Sequence, residues 1–299
     1  MTAARTVPST SPEPGAAPEW FVRALAAVPE RHAVEVAGTT IRYRAWGDPG
    51  LPGVVLVHGG AAHSGWWDHI APQLEGARVV ALDLGGYGDS GRRDTYGMAM
   101  WAQEIAEVAA AEALDRPVVV GHSKGGWAAI TAGVEHGDRF SGVVAIDSPL
   151  HVAPPDEAWL RRRQAPPRVY PDRSAATARF VTLPPQELVL PYVRQHVAEE
   201  SVRPVDGGWT WKFDPRSFSQ VTDQLGLLAA LHAPFAVLRC EHGLLSRDMV
   251  DEIVERVPGH PAVVELPGCG HHPMLDHPQV LVTALRALLA VWPDGRSPA

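Results

Sequence analysis

The stretch PVVVGHSKGGWAAI, residues 117–130, compresses a strand, a sharp turn and the start of a helix into fourteen residues. Val118 to Val120 form a β-branched run that reads as a short buried strand, and Gly121-His122-Ser123-Lys124-Gly125 reads as the turn. Glycines two positions before and two after Ser123 let the backbone bend without Cβ clashes, which would hold the serine hydroxyl above the strand end. The helix that follows presents its N–H groups and the positive end of its dipole to negative charge developing there. A G-x-S-x-G pattern alone occurs by chance, but in a strand-turn-helix setting it reads as a nucleophile.

Outward from this motif the chain keeps the same rhythm. AVEV (33–36) and TIRYRAW (40–46) look like paired strands, and VVLVH (54–58), RVVAL (78–82), GVVAID (142–147), FAVLR (235–239) and AVVEL (262–266) are further short apolar runs. Between them lie helical stretches, among them MAMWAQEIAEVAAAEAL (98–114), DMVDEIVERV (248–257) and PQVLVTALRALLAVW (278–292). Strands alternating with helices predict an α/β fold, a mostly parallel eight-stranded sheet flanked by helices on both faces. The rhythm breaks between 149 and 231, where prolines and aromatics gather and no β-run appears. The expected organisation is a flexible tail over 1–20, a core over 21–148 and 232–299, and a helical cap inserted over 149–231.

A chain of 299 residues can bury one substantial core without staples. Its net charge of −8 argues against general affinity for nucleic acid or an acidic membrane, leaving small molecules as the expected partners. Two cysteines, Cys240 and Cys269, are too few for a disulfide framework, and they read as buried thiols. The start of the sequence has no signal-like apolar stretch, and no run reaches membrane-spanning length, so a cytoplasmic protein is expected. Oligomeric state is left open, a homodimer included.

Together with the serine turn, VVLVHGGAAHSGWWDHIAPQL (54–74), RVVALDLGGYGDSG (78–91) and ELPGCGHHPMLDHP (265–278) resemble the α/β-hydrolase family, over roughly Val34 to Trp292. The resemblance implies an oxyanion hole built from the N–H groups of Gly60 and Lys124, fixed before a tetrahedral intermediate forms. It makes His58 a brace for the oxyanion loop and His271 the base, matching the family's Gly-x-Gly-His pattern, with His272 as the fallback. His122 is expected to pack beside the turn, and His63 to lie at the surface. Asp83, Asp89 and Asp276 are expected to fix loops.

The acid is the difficulty. Most family members carry an aspartate where Gly243 stands here. Haloalkane dehalogenase-like and zearalenone-lactonase-like members instead place it after the strand that follows the nucleophile helix, and in this chain that position is Asp147. Asp147 is therefore the expected triad acid, with Glu241 and Asp248 as rivals; Asp248 also suits a helix start.

Aromatics in the insertion, namely Trp159, Tyr170, Phe180, Trp209, Trp211, Phe213 and Phe218, suggest a hydrophobic or aromatic substrate. Trp159, Trp209, Trp211 and Phe213 are the candidate substrate contacts. Arg161, Arg162 and Arg163 are adjacent on an expected helix and cannot all face inward, so they read as solvated. The expectation is a serine hydrolase of a carboxylic ester or lactone, with no cofactor and no metal. Carbon-carbon bond hydrolysis and thioester cleavage use the same triad and stay open. A ligand receptor with little or no turnover is the reading from another class. Dehalogenases and epoxide hydrolases of this family carry aspartate where Ser123 stands, which argues against those reactions.

Overall fold

The computed structural model describes residues 17–150, 167–217 and 224–292. Its strands in chain order are β1 (Glu30–Val36), β2 (Thr39–Trp46), β3 (Gly53–Val57), β4 (Arg78–Leu82), β5 (Val118–His122) and β6 (Gly142–Ile146), then a separate ribbon of β7 (Val202–Val205) and β8 (Gly208–Trp211), then β9 (Phe235–His242) and β10 (Ala262–Gly270). All but the ribbon form one eight-stranded sheet in the order β1-β2-β4-β3-β5-β6-β9-β10. β2 runs antiparallel to both neighbours, and every pairing from β4 to β10 is parallel. The expected α/β architecture is what the chain adopts.

The helices are α1 (Glu19–Ala26), α2 (Met98–Ala111), α3 (Lys124–Glu135), α4 (Arg173–Thr177), α5 (Pro191–Glu200), α6 (Gln224–Ala230), α7 (Arg247–Arg256), α8 (Pro273–Asp276) and α9 (Pro278–Val291). Strands β3 to β6 are buried at every position because both faces are covered, and alternate residues serve opposite cores. Val55, Val57 and Val119 pack with α2, α3 and α7, whereas Val54, Leu56, Val118 and Val120 pack with α1, α9 and the Trp66–Trp67 turn. No helix of the described residues is long and apolar enough to cross a membrane.

Three features depart from the expected organisation. The end of the expected tail is helical, since α1 begins at Glu19 and buries Phe21 against Tyr192; residues 1–16 lie outside the described residues. Between β6 and β9 the described residues hold α4 and α5 but also the antiparallel β7–β8 ribbon. Its strands are four residues long, VRPV and GWTW, and one carries Pro204, so they give no apolar run in the sequence. α6 falls in the range expected for the insertion, yet it packs on α3 and α7 and buries Leu228 in the main core.

Candidate active site

Ser123 sits between β5 and α3 with φ 53° and ψ −120°, a left-handed conformation forced by the abrupt change from strand to helix. Its N–H donates to the carbonyl of Ile146 at 2.8 Å, tying the turn to the end of β6. The flanking glycines are required by closeness: a Cβ on Gly121 would stand 2.6 Å from Gly126 Cα, and one on Gly125 would stand 2.9 Å from the carbonyl carbon of His58.

His271 arrives from the loop between β10 and α8. Its Nδ1–H donates to Asp147 Oδ2 at 2.6 Å, which leaves Nε2 to accept from the Ser123 hydroxyl at 3.0 Å. The ring is 3% exposed, whereas Ser123 is only half-buried and remains open to a ligand. His122 holds the loop from beneath, its Nε2–H donating to the carbonyl of His271 at 2.7 Å. Burial first, then the neighbouring His271 ring, pushes His122 down to about 3, so it is neutral near pH 7. Asp276 Oδ2 accepts from the N–H of Gly270 at 2.6 Å, the loop-fixing task expected of it. Gln186, from the segment between β6 and β9, clasps both ends: its amide donates to Asp276 Oδ2 at 2.9 Å and accepts from the N–H of His272 at 2.9 Å.

Asp147 follows β6 with φ 42° and is fully buried. Its carboxylate is oriented by the end of β9 and the turn that follows, accepting from the N–H groups of Leu244 at 2.7 Å, Leu245 at 3.2 Å and Cys240 at 3.4 Å. Gly243 lies in that turn, and a Cβ there would stand 2.5 Å from Asp147 Cγ and closer still to its oxygens. The position that is vacant in sequence is thus filled in space by a carboxylate from the neighbouring strand. Glu241 is exposed and accepts from the N–H of Gly268 at 2.8 Å, and Asp248 is exposed in the first turn of α7. The His271 ring is hydrogen-bonded to Asp147 and Ser123 and to neither Glu241 nor Asp248.

The other candidates have local tasks. His58 donates through Nδ1 to the carbonyl of Gly59 at 2.7 Å and accepts through Nε2 from the N–H of Leu84 at 3.1 Å, which braces the loop carrying Gly60. The backbone of that loop abuts the nucleophile, since a Cβ on Gly59 would stand 3.3 Å from Ser123 Cβ. Lys124 is the first residue of α3. His63 departs from the expected surface position: it is buried, accepting from the N–H of Gly65 and donating to Ser201 Oγ at 2.8 Å, because the segment between β6 and β9 covers it. His272 is also buried, its ring against Trp66, His122 and His271. Asp83 accepts from the N–H groups of Ser64 at 2.7 Å and Asp89 at 2.8 Å, while Asp89 pairs with Lys212 at 3.0 Å. Cys240 and Cys269 are buried, and burial pushes the Cys269 thiol up to about 12.

Trp159, Phe218, Arg161, Arg162 and Arg163 lie outside the described residues. Trp209 and Trp211 pack with Tyr170 and Val202 in a small cluster that the ribbon needs for its own stability, and Phe213 pairs with Tyr87 beside the main core. Beside His272 stands Trp66, 5.5 Å away centroid to centroid, with Phe180 at 6.0 Å from Trp66 and Trp211 at 6.2 Å from Phe180. Sequence reasoning missed Trp66 and Gln186. Trp66 stands in the 54–74 segment that carried the resemblance, but Gln186 has no local signal. Among the described residues, two groups offer metal-ligand atoms within 4.8 Å of one another: His122, His271 and His272, and Cys269, Asp276 and His277.

A model of the alpha/beta hydrolase family matches residues 54–284. The chain belongs to the alpha/beta hydrolase family. Within that family it is 29% identical, over 82% of its length and 94% of the relative's, to a pimeloyl-[acyl-carrier protein] methyl ester esterase of Edwardsiella ictaluri. It is 31% identical to epoxide hydrolase A of Mycobacterium tuberculosis over 46% of this chain and 42% of that one. Among solved structures, E-2-(acetamidomethylene)succinate hydrolase superposes with a TM-score of 0.75 at 23% identity, over 88% of this chain and all of that one, a likeness of fold.

Proposed function

We propose that this alpha/beta hydrolase is a serine hydrolase that cleaves a carboxylic ester or lactone of a hydrophobic small molecule. The reading rests on one observation, the continuous hydrogen-bond relay from Asp147 through His271 to the Ser123 hydroxyl. In this mechanism His271 Nε2 takes the proton as Ser123 Oγ attacks the acyl carbon, and Asp147 keeps the proton on Nδ1 and stabilises the imidazolium. The N–H groups of Gly60 and Lys124 receive the oxyanion. Collapse of the tetrahedral intermediate breaks the bond to the alkoxide, which leaves with the proton from His271. Water, activated by the same ring, then releases the acid and restores Ser123.

A serine in the nucleophile position favours acyl transfer over epoxide opening, despite the partial match to an epoxide hydrolase. The longer match, to a relative named as a methyl ester esterase, supports an ester. Trp66 and Phe180 give the vicinity of His272 an apolar wall, which suits a hydrophobic acyl or alcohol group. Phe180 and Gln186 both come from the segment between β6 and β9, which we read as a cap.

The test is covalent labelling with a fluorophosphonate, together with turnover of aryl esters, lactones, thioesters and vinylogous diketones. Labelling of the wild type on Ser123, its loss in Ser123→Ala and ester or lactone turnover are expected. Equal labelling of Ser123→Ala refutes the assignment. Binding without product from any of these substrates replaces the hydrolase with a receptor.

A further inference from the structure

A cavity of about 400 Å³ opens beside the β1–β2 edge of the sheet, and none of Ser123, His271 or Asp147 lines it. Four arginines do: Arg31, Arg42, Arg44 and Arg203. The strand register explains three of them. Arg31 pairs directly with Arg44 across the antiparallel β1–β2 ladder, and Arg42 lies two residues along β2 on the same face. Arg203 approaches from β7 in the separate ribbon.

Like charges across a ladder are unfavourable unless anions answer them, so the partners decide what the cavity is for. Arg44 is answered in full: its Nη1 meets both oxygens of Asp68 at 2.8 and 2.6 Å, and its Nη2 meets Glu200 at 2.7 Å. Of the two carboxylates in the lining, Asp89 pairs with Lys212, whereas Asp83 accepts from two backbone N–H groups, which carry no net charge to offset its own. The guanidinium groups of Arg31, Arg42 and Arg203 make no hydrogen bond or ion pair with any described residue. Burial and then the nearby Arg92 make the charged form of Arg203 harder to hold, with Asp89 opposing. In a protein of net charge −8, the exposed Arg31 and Arg42 and the half-buried Arg203 outnumber Asp83, the carboxylate of the lining that has no cationic partner among the described residues, and this local excess of positive charge is one that an anion would neutralise.

We propose that this cavity is a binding site for a phosphomonoester, its phosphoryl group held by Arg31, Arg42 and Arg203. Guanidinium forks match the tetrahedral oxygens of phosphate, and a doubly charged group answers three cations better than one carboxylate does. The volume lies in the range of small organic ligands, so it accommodates more than the bare ion. Because Arg203 belongs to the ribbon and Arg31 and Arg42 to the sheet, the bound anion would fasten the two together and stabilise the folded chain.

The experiment titrates inorganic phosphate and glycerol phosphate into the whole protein at constant ionic strength. Sodium chloride and succinate serve as comparison anions, and binding is read by calorimetry and by the thermal unfolding midpoint. Saturable phosphate and glycerol phosphate binding that raises the midpoint is expected, weakened at least tenfold in Arg203→Gln and in Arg42→Gln. Arg203→Lys, which keeps the charge and loses the fork, should fall between. Aryl ester hydrolysis without phosphate should stay within about twofold of wild type in all three, so the outcome is independent of the serine relay. No binding beyond the chloride control, wild-type affinity in both glutamine variants, or binding of succinate in preference to phosphate would each overturn the proposal.

Discussion

Replacing Gly243 by alanine probes the relocated acid without touching any hydrogen-bonding group. The backbone at Gly243 is not in the left-handed region, so alanine meets no conformational objection and its only consequence is the added methyl. That methyl would stand 2.5 Å from Asp147 Cγ, against an ordinary carbon-carbon approach of roughly 3.5 Å. The carboxylate must therefore retreat by about 1 Å, or the turn must move by as much. Either shift disrupts the 2.6 Å bond to His271 and the 2.7 Å bond from Leu244. A misplacement of about 1 Å in a catalytic group costs on the order of 10²-fold, about 2.7 kcal/mol, and complete loss of the acid on the order of 10⁴-fold. The expected fall in kcat for Gly243→Ala is between those limits, with a smaller change in KM, measured on whichever ester the wild type turns over. In an Asp147→Ala background the methyl meets no carboxylate, so the same substitution should cost nearly nothing more. Asp147→Ala/Gly243→Asp, which returns a carboxylate from the other strand, should regain at least about tenfold over Asp147→Ala by restoring the imidazole's partner. Full kcat in Gly243→Ala, or equal losses in the two backgrounds, would refute the steric argument.

Gln186→Ala removes both contacts with the His271 loop and should lower kcat roughly tenfold, about 1.4 kcal/mol, with KM and the unfolding midpoint little changed; unchanged kcat would remove Gln186 as a positioning residue. Acid should destabilise the fold through its buried imidazoles. Burial pushes His122 down to about 3 and His69 to about 4, and lowers His58, His63 and His272 as well. Below about pH 6.5 the unfolded chain therefore binds protons that the folded chain refuses, and stability falls as pH falls; above that value the effect is absent. His69 and His122 together account for about 4 kcal/mol between pH 7 and pH 5. Glu104, pushed up to about 7 by burial, works the other way and returns about 2 kcal/mol over the same range. Urea midpoints at pH 7, 6 and 5 should decline, and a flat series would contradict the burial of these rings.

What was legible in the sequence was local. Eight runs became the eight strands of the sheet, most plainly β3 to β6, whose valines fill cores on both faces and carry that pattern within the run, whereas the edge strand β1 is largely exposed. The serine turn was readable because its glycines, strand and helix are contiguous. His271 and Asp147 were readable through motif position, yet their meeting depends on β6, β9 and β10 lying side by side in that order, which no short window encodes. What escaped was tertiary. The β7–β8 ribbon has strands too short and too polar to announce themselves, and its turn at Gly207, φ 81°, supplies only a generic signal. His63 reads as a surface polar residue until Ser201 is brought over it, and Gln186 reads as a loop glutamine until the fold sets it against Asp276.

The central claim is that Asp147, rather than a carboxylate on β9 or α7, serves the histidine. It is tested most directly by the rate at which a fluorophosphonate modifies Ser123 in Asp147→Asn, measured beside Glu241→Gln and Asp248→Asn. A fall of roughly four orders of magnitude is expected in Asp147→Asn, the scale seen when a triad acid becomes an amide, and rates within about twofold of wild type in the other two. Near wild-type labelling in Asp147→Asn, or a collapse in either of the others, would contradict it.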